Sequence, residues 1–330
     1  MTQQAPLVTI FGGSGFVGRY VTQRMARRGW RVRVAVRRPN EANFVRPYGD
    51  VGQVEPVQAN LRDGPSTAAA CEGAMVVINC VGILAEAGPQ KFDSVQAQGA
   101  ERAAMGAKAA GAERFVQISA IGADEQSESL YARSKAGGEA AVLAQFPEAA
   151  ILRPSIVFGT EDQFFNRFAA MARFTPVLPV VGADTRFQPV HVEDVAEAAA
   201  LCATGEAPGG IYELGGPRAA TFRELMELML ETIRRRRLIA DLPLKVANVQ
   251  AKALSTLERL SAGLWRNDLL TEDQIRLLGR DNVVGEGVRT FEDLGIEPKA
   301  MEAVLESYLW AHRPGGQYAR ITESAKKLRG

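Results

Sequence analysis

The sequence has little of what metal and acid–base chemistry most often uses. Two histidines stand in 330 residues, which nearly excludes histidine-ligated metal sites and histidine-dependent triads. The three cysteines, Cys71, Cys80 and Cys202, have no metal-ligand spacing and cannot all pair. We therefore expect no metal site, and buried reduced thiols of an intracellular compartment. Neither sign of charge prevails: 39 basic residues face 38 acidic ones, a net charge of +1. That removes a general electrostatic case for nucleic acid as a partner. No apolar run reaches the roughly 18 residues that suggest a membrane span. The first strand-like run begins by Leu7, so any signal or transit peptide is expected to be absent or already removed.

What is present is an ordinary globular composition, 46% hydrophobic and 23% charged, with enough length for a sizeable core. Strand-like runs fall at 7–11, 31–36, 54–57, 75–80, 114–118 and 149–152, with helical patterns around 16–28, 66–72, 91–110 and 130–145. This alternation predicts a parallel sheet with helices on both faces, binding ligands beyond the carboxyl ends of its strands. After Gly159 helical patterns predominate, broken at Pro176, Pro179, Pro189 and Pro208. Phe222, Leu225, Met226, Met229, Leu230 and Ile233 recur at helical spacing as one apolar face. The stretch 271–313 reads as two helices around a loop, and the chain beyond Pro314 is polar.

Gly12-Gly13-Ser14-Gly15-Phe16-Val17-Gly18 joins the first strand to a helix. Glycines at 12, 15 and 18 allow a sharp turn, close approach to a pyrophosphate, and tight helix packing, and the helix N-terminus offers its N–H groups to phosphate. The strand and helix on its two sides favour nucleotide binding over an ordinary turn. We thus expect a Rossmann-type, doubly wound α/β domain over 1–160 and a smaller, mainly helical lobe over 161–330, facing a partner or membrane, with a polar tail from 314 to 330. At the end of the second strand, where an NAD site places a carboxylate on the ribose 2′-hydroxyl, this chain has Arg37 and Arg38, with no acid before Glu41. With Arg19 they suit a 2′-phosphate, and NADP(H) is favoured. In Asn60-Leu61-Arg62-Asp63, Asp63 is expected at the adenine edge, while Asn60 either joins it or caps a turn.

Tyr131 and Lys135 are four residues apart on one predicted helix, after a strand ending at Ser119. A lysine beside a phenol stabilises the phenolate and lowers its pKa from about 10. Ser119 would hold a carbonyl.

With these residues the sequence resembles the extended or atypical branch of the short-chain dehydrogenase/reductase superfamily. The resemblance is carried by the glycine motif, Asn79-Cys80-Val81-Gly82, Tyr131-Ala132-Arg133-Ser134-Lys135, Arg153-Pro154-Ser155-Ile156-Val157-Phe158-Gly159, and Val190-His191-Val192-Glu193-Asp194-Val195-Ala196. It implies that Val81 and Gly82 face the cofactor, that Pro154, Ser155 and Ile156 border the nicotinamide, and that His191 is a packing residue. Gln96 stands where extended-branch enzymes commonly carry the Asn of a proton relay. A narrower resemblance, to the NADPH-binding accessory subunits of respiratory complex I, rests on four segments. They are Phe146-Pro147-Glu148-Ala149-Ala150-Ile151-Leu152-Arg153-Pro154-Ser155, Phe158-Gly159-Thr160-Glu161-Asp162-Gln163-Phe164-Phe165-Asn166-Arg167-Phe168-Ala169, Phe187-Gln188-Pro189-Val190 leading into the His191 segment, and Phe291-Glu292-Asp293-Leu294-Gly295-Ile296. It implies a tightly held NADPH, other complex I subunits as partners, a structural or assembly role on the peripheral arm, and a peripheral place at an inner membrane. The place would be the cytoplasmic face in a bacterium or the matrix face in a mitochondrion. The alternative left by Ser119, Tyr131 and Lys135 is a free-standing NADP-dependent reductase or epimerase acting on a carbonyl or sugar-nucleotide.

Arg234-Arg235-Arg236-Arg237 follows the amphipathic segment. It reads either as a cationic helix end or as a docking patch for acidic phospholipid or an acidic partner. Leu238, Ile239, Leu242 and Leu244 come next, and Trp265 is either an interfacial anchor or a core residue.

Overall fold

An apolar strand, β1 (Leu7–Phe11), runs between two parallel neighbours, β2 (Arg31–Val36) and β4 (Val76–Asn79). The computed structural model describes residues 5–242 and 272–316. β3 (Val54–Gln58), β5 (Arg114–Ile118), β6 (Ala150–Pro154) and β11 (Gly210–Leu214) complete a parallel sheet of seven strands, ordered β11-β6-β5-β4-β1-β2-β3. The order reverses between β1 and β4, so the loops leaving their carboxyl ends frame a crevice. Pro56 is tolerated because β3 lies at the sheet edge.

Small residues bring the helices close. In α3 (Gln98–Ala109), Ala100, Ala103, Ala104 and Ala107 are fully buried. A Cβ on Gly106 would stand 3.3 Å from the Cα of Ala68 in α2 (Gly64–Cys71). One on Gly138 of α4 (Leu130–Gln145) would stand 2.7 Å from the Gln96 carbonyl oxygen. Residues 93–97 form a π-turn that runs directly into α3, so the helix expected over 91–110 is continuous with one widened turn near its start. Such turns insert a residue and re-aim neighbouring side chains.

The chain falls into two units. The first takes Met1–Pro154, Val192–Leu214 and Val284–Glu297, so the sheet unit does not end in one break near residue 160. The reason is edge protection: β11 pairs with β6, which would otherwise leave unpaired backbone groups. Its preceding helix α6 (Val192–Thr204), rich in buried alanine, is tied to α1 (Phe16–Arg27) by Arg24–Glu193 at 3.4 Å and by Arg28–Glu197.

The second unit takes the remaining segments. It contains β7 (Val157–Phe158), α5 (Phe165–Phe174), β8 (Val177–Val181), β9 (Arg186–Phe187), β10 (Val190–His191), β12 (Ala220–Thr221), α7 (Phe222–Thr232), β13 (Leu238–Leu242), α8 (Glu272–Leu278) and α9 (Met301–Leu309). The strands pair two by two, as β10–β7, β12–β9 and β13–β8. Pro179 lies inside β8, whose single partner leaves one side free of a ladder. All six predicted face residues of α7 are buried, packed with Phe165, Leu178, Leu305 and Leu309. α7 starts on a capping box in which Thr221 Oγ1 accepts from the Glu224 N–H while Glu224 Oε2 accepts from the Thr221 N–H. His191 is buried against the Phe158 ring, 5.4 Å between centroids. Leu244, Trp265 and the tail from 317 lie outside the described residues. No described helix is long and apolar enough to cross a membrane.

The segment Glu161–Asn166 has a structural task. The Asp162 carboxylate accepts N–H groups from Gly159 (3.2 Å), Phe164 (3.0 Å) and Asn166 (3.0 Å), and the Tyr308 hydroxyl at 2.6 Å. One buried anion thus starts α5 and pins α9. Burial raises its carboxyl while those donors pull it back. Tyr308→Phe deletes a charge-assisted bond to a buried carboxylate, which costs about 1.5–3 kcal/mol. At roughly 2–4 °C per kcal/mol for a chain of this order of size, thermal unfolding should shift down by several degrees. An unchanged midpoint would show that the hydroxyl contributes nothing.

Candidate functional site

The turn after β1 is built for close approach. Gly12 takes a left-handed φ of 72°, and a Cβ on Gly18 would stand 2.2 Å from the Gly12 carbonyl oxygen. On Gly13 it would meet Thr22 Oγ1 at 2.9 Å. These glycines are demanded by the fold itself. Gly15 is not: its φ is −70°, it is exposed, and a Cβ there would meet only the Gly12 oxygen at 3.1 Å. The bare backbone at Gly15 leaves room for something outside the chain. Beside it the first N–H groups of α1, at Phe16, Val17 and Gly18, have no partner within the helix. Ser14 and Gly15 also offer carbonyls to Arg19, whose Nη2 and Nε each donate at 3.3 Å while its guanidinium lies 4.9 Å over Phe44. Arg19 is thereby held at the turn.

Arg37 and Arg38 are exposed after β2. Glu41, the first acid beyond them, folds back onto Arg38 at 3.0 Å. A pair this exposed is worth under about 1 kcal/mol, so it leaves Arg38 available to a phosphate. Asn60 takes the turn-capping role: its Oδ1 accepts from Arg62 N–H at 3.2 Å. Asp63 likewise caps α2, accepting Ser66 N–H at 3.0 Å, and Ser66 holds its carboxyl below the usual range. Leu61 is buried under α3. Val81 is shaped by Asn79, whose Oδ1 accepts the Val81 N–H at 3.1 Å while its amide donates to Gln117 at 3.0 Å.

Gly82, Lys135 and Gln96 converge. A side chain at Gly82 would come within 3.3 Å of Lys135 Nζ and 3.6 Å of Gln96 Oε1. Gln96 donates to Ser134 Oγ at 3.1 Å, but its own Oε1 is buried without a partner. An orphan acceptor costs about 1–3 kcal/mol, which a donor on a bound ligand would relieve. The bare turn at Gly15 and this orphan together fit a dinucleotide. Gly12–Arg19 would hold its pyrophosphate, and Gly82, Gln96, Tyr131 and Lys135 its nicotinamide end.

The expected electrostatics of the tyrosine are reversed. Burial pushes the Tyr131 phenol up to about 12, and pushes Lys135 down to about 8 against the opposing charge of Glu139. Lys135 Nζ donates to the Ile118 carbonyl at 3.2 Å and lies 5.9 Å from the Tyr131 ring centre. Phe92 packs edge-on to the same ring at 5.8 Å. Ser119 is also committed elsewhere: its hydroxyl donates to Glu139, which Arg153 binds with Nη2 at 2.6 Å and Nε at 3.0 Å. Glu139 and Arg153 were not among the expected site residues. The signal was available, since Tyr131, Lys135 and Glu139 fall at successive four-residue steps of α4. Pro154 ends β6, and its carbonyl accepts Ile121 N–H at 3.0 Å. Ser155 and Ile156 belong to the second unit, where Ser155 donates to Asn282 Oδ1 at 2.7 Å and Ile156 packs on the apolar core. Cys71 and Cys202 are buried and Cys80 half-buried, all free, each thiol pushed up to about 12 by burial. Among the described residues no group of His, Cys, Asp and Glu could hold a metal.

Comparison with known proteins agrees with this fold. The sequence profile of the NAD dependent epimerase/dehydratase family matches residues 8–215. The chain is 36% identical to the NADH dehydrogenase [ubiquinone] 1 alpha subcomplex subunit 9, mitochondrial, of Arabidopsis thaliana, over 97% of this chain and 81% of that one. It is 37% identical to a ceramide reductase of Caulobacter vibrioides, over 68% of this chain and 70% of that one. Among solved structures it superposes on an Escherichia coli NADPH-dependent quinone oxidoreductase complexed with NADPH, with TM-score 0.70 and 18% identity, covering 92% and 98% of the two chains.

The depressed lysine makes a pH test. Lys135 binds its proton more weakly folded, about 8, than its ordinary 10.5. Between those values the unfolded chain holds the extra proton, so this group's contribution to stability rises with pH. Denaturant unfolding of the unmodified chain and Lys135→Met should diverge across that window by roughly 2–4 kcal/mol in favour of the unmodified chain. Parallel curves would mean that the amine titrates as if exposed.

Proposed function

Because the chain belongs to the NAD dependent epimerase/dehydratase family and, within it, to the group of complex I alpha subcomplex subunit 9 proteins, we propose that it is a non-catalytic accessory subunit of respiratory complex I, holding NADPH as a structural cofactor and supporting assembly of the peripheral arm. The observation that carries this reading is the extent of the likeness. It runs through both units, over 97% of the chain, whereas the likeness to the ceramide reductase spans 68%. Ser119 supports it too, because a hydroxyl bound to Glu139 is not offered to a substrate carbonyl. Its partners are then other subunits of the complex, and its place is peripheral: the cytoplasmic face of a bacterial inner membrane or the matrix face of a mitochondrial one.

NADPH is preferred over NADH because Arg37 and Arg38 follow β2, where an NAD site has a carboxylate, and Arg19 is held at the glycine turn. When bound, the cofactor supplies a ligand recognised only by the folded chain. Such a ligand stabilises by RT ln(1 + [L]/Kd), about 4 kcal/mol at a thousandfold excess over Kd. A second reading, a free-standing NADP-dependent reductase, is favoured by the ceramide reductase relative and by the retained Tyr131 and Lys135. There a bound NADPH would supply the hydride, and the protonated Tyr131 phenol would donate to the carbonyl oxygen with Lys135 beside it.

Two experiments test these readings. In calorimetric titration, Arg37→Ala with Arg38→Ala should weaken NADPH binding at least tenfold and leave NADH nearly unchanged, at about 1.5–3 kcal/mol per charge-assisted contact. Equal affinity of the unmodified chain for both cofactors would remove the preference. Gly15→Val, which puts a branched side chain where the pyrophosphate would lie, should abolish assembly and NADH:quinone activity in membranes, while Tyr131→Phe leaves both intact. A specific reductase activity lost in Tyr131→Phe, with assembly untouched by either change, would establish the second reading instead.

A further inference from the structure

The arginine run takes part in nothing described so far. α7 ends in a turn where Arg234 adopts a left-handed φ of 56° and the Arg235 N–H reaches the Leu230 carbonyl at 3.0 Å. The turn directs Arg235, Arg236 and Arg237 into an open groove of about 400 Å³, which Arg223 lines from α7. Two of the four are fixed by the backbone: Arg235 Nε donates to the His312 carbonyl at 2.9 Å, and Arg237 Nε to that of Ala172 at 2.8 Å. The groove also holds the exposed Glu227, which makes no ion pair with any of them. Among the described residues, Arg173, Arg223, Arg235, Arg236 and Arg237 have no carboxylate partner. Arg235 is held below the usual guanidinium range, by burial first and then by the charges of Arg237 and Arg173. An unneutralised cationic groove is a repulsive arrangement that an anion would relieve.

Among the described residues, the rim beside it is apolar and exposed. Leu238, 67% exposed, is paired in register with Val177, 37% exposed. Phe174, at the end of α5, is 82% exposed, with the Arg173 guanidinium 5.5 Å from its ring centre. Cations with unpaired charge next to an aromatic and two aliphatic side chains in water are the pattern of a membrane-interface surface. An acidic protein face would answer the charge but leaves the apolar rim unexplained.

We propose that this surface docks on an anionic phospholipid membrane, with lipid phosphates in the arginine groove and Phe174, Val177 and Leu238 at the headgroup–acyl boundary. It rests on this surface alone and not on the complex I reading, since it concerns binding by the isolated chain. The test is co-sedimentation of the full chain with vesicles of phosphatidylcholine alone or phosphatidylcholine with phosphatidylglycerol. Binding should require the anionic lipid and weaken with salt. Arg173→Gln with Arg236→Gln, both exposed and outside the backbone contacts, should lower it on the order of thirtyfold, at about 1 kcal/mol per cation. Phe174→Ser should lower it about tenfold at unchanged charge, and thermal unfolding of these variants should match the parent. Equal binding to both vesicles, or variants that bind like the parent, would overturn the proposal. So would inorganic phosphate saturating the groove while anionic vesicles fail to bind, which would mark a free-phosphate site. Loss of a co-purifying protein in the double variant without any vesicle binding would mark a protein interface and overturn it equally.

Discussion

The Gly12 carbonyl oxygen and the Cα of Gly18 are so close that no side chain fits between them; a Cβ on Gly18 would stand 2.2 Å from that oxygen. This contact seats the N-terminus of α1 directly on the end of β1, at the point where the strand order reverses. From that seat the rest of the first unit follows. α1 meets α6 through Arg24 and Arg28, α6 leads into β11, and β11 closes the exposed edge of β6. The unpaired N–H groups of α1 are left facing the crevice. Gly15 adds a milder constraint, since a Cβ there would stand 3.1 Å from the Gly12 carbonyl oxygen and meet nothing else in the chain.

Two buried carboxylates organise the two units. Glu139 gathers Ser119 and Arg153 and sets the charge environment of Lys135. Asp162 gathers three backbone N–H groups and Tyr308. A buried anion is costly unless its lone pairs are filled, so each acts as a hub that several elements must reach together. At Glu139 this has a chemical consequence. The serine that could have oriented a substrate is turned into a structural donor, while the tyrosine and lysine remain beside Gly82 and Gln96.

Much of the first unit was legible because its signals are local. Strand runs, the glycine motif and the Tyr131–Lys135 spacing depend on residues within one or two turns of each other, and the structure has them nearly residue for residue. The apolar face of α7 was legible for the same reason. Less legible were residues whose chemistry suits more than one partner. Asp63, expected at the adenine edge, also caps α2 by accepting the Ser66 N–H. Pro179 was read as a break, yet β8 carries it because that strand has one neighbour.

The sequence by itself determined the doubly wound sheet, the glycine turn and the exposed arginine pair after β2, because each is written in neighbouring residues through steric freedom, periodicity or charge. Only the tertiary structure decided that residues 192–214 belong with the sheet, that Ser119 faces Glu139, and that burial raises Tyr131 and lowers Lys135. These outcomes depend on desolvation and on partners far along the chain, as between Ser155 and Asn282. No local pattern encodes them, since burial is a property of the packed whole.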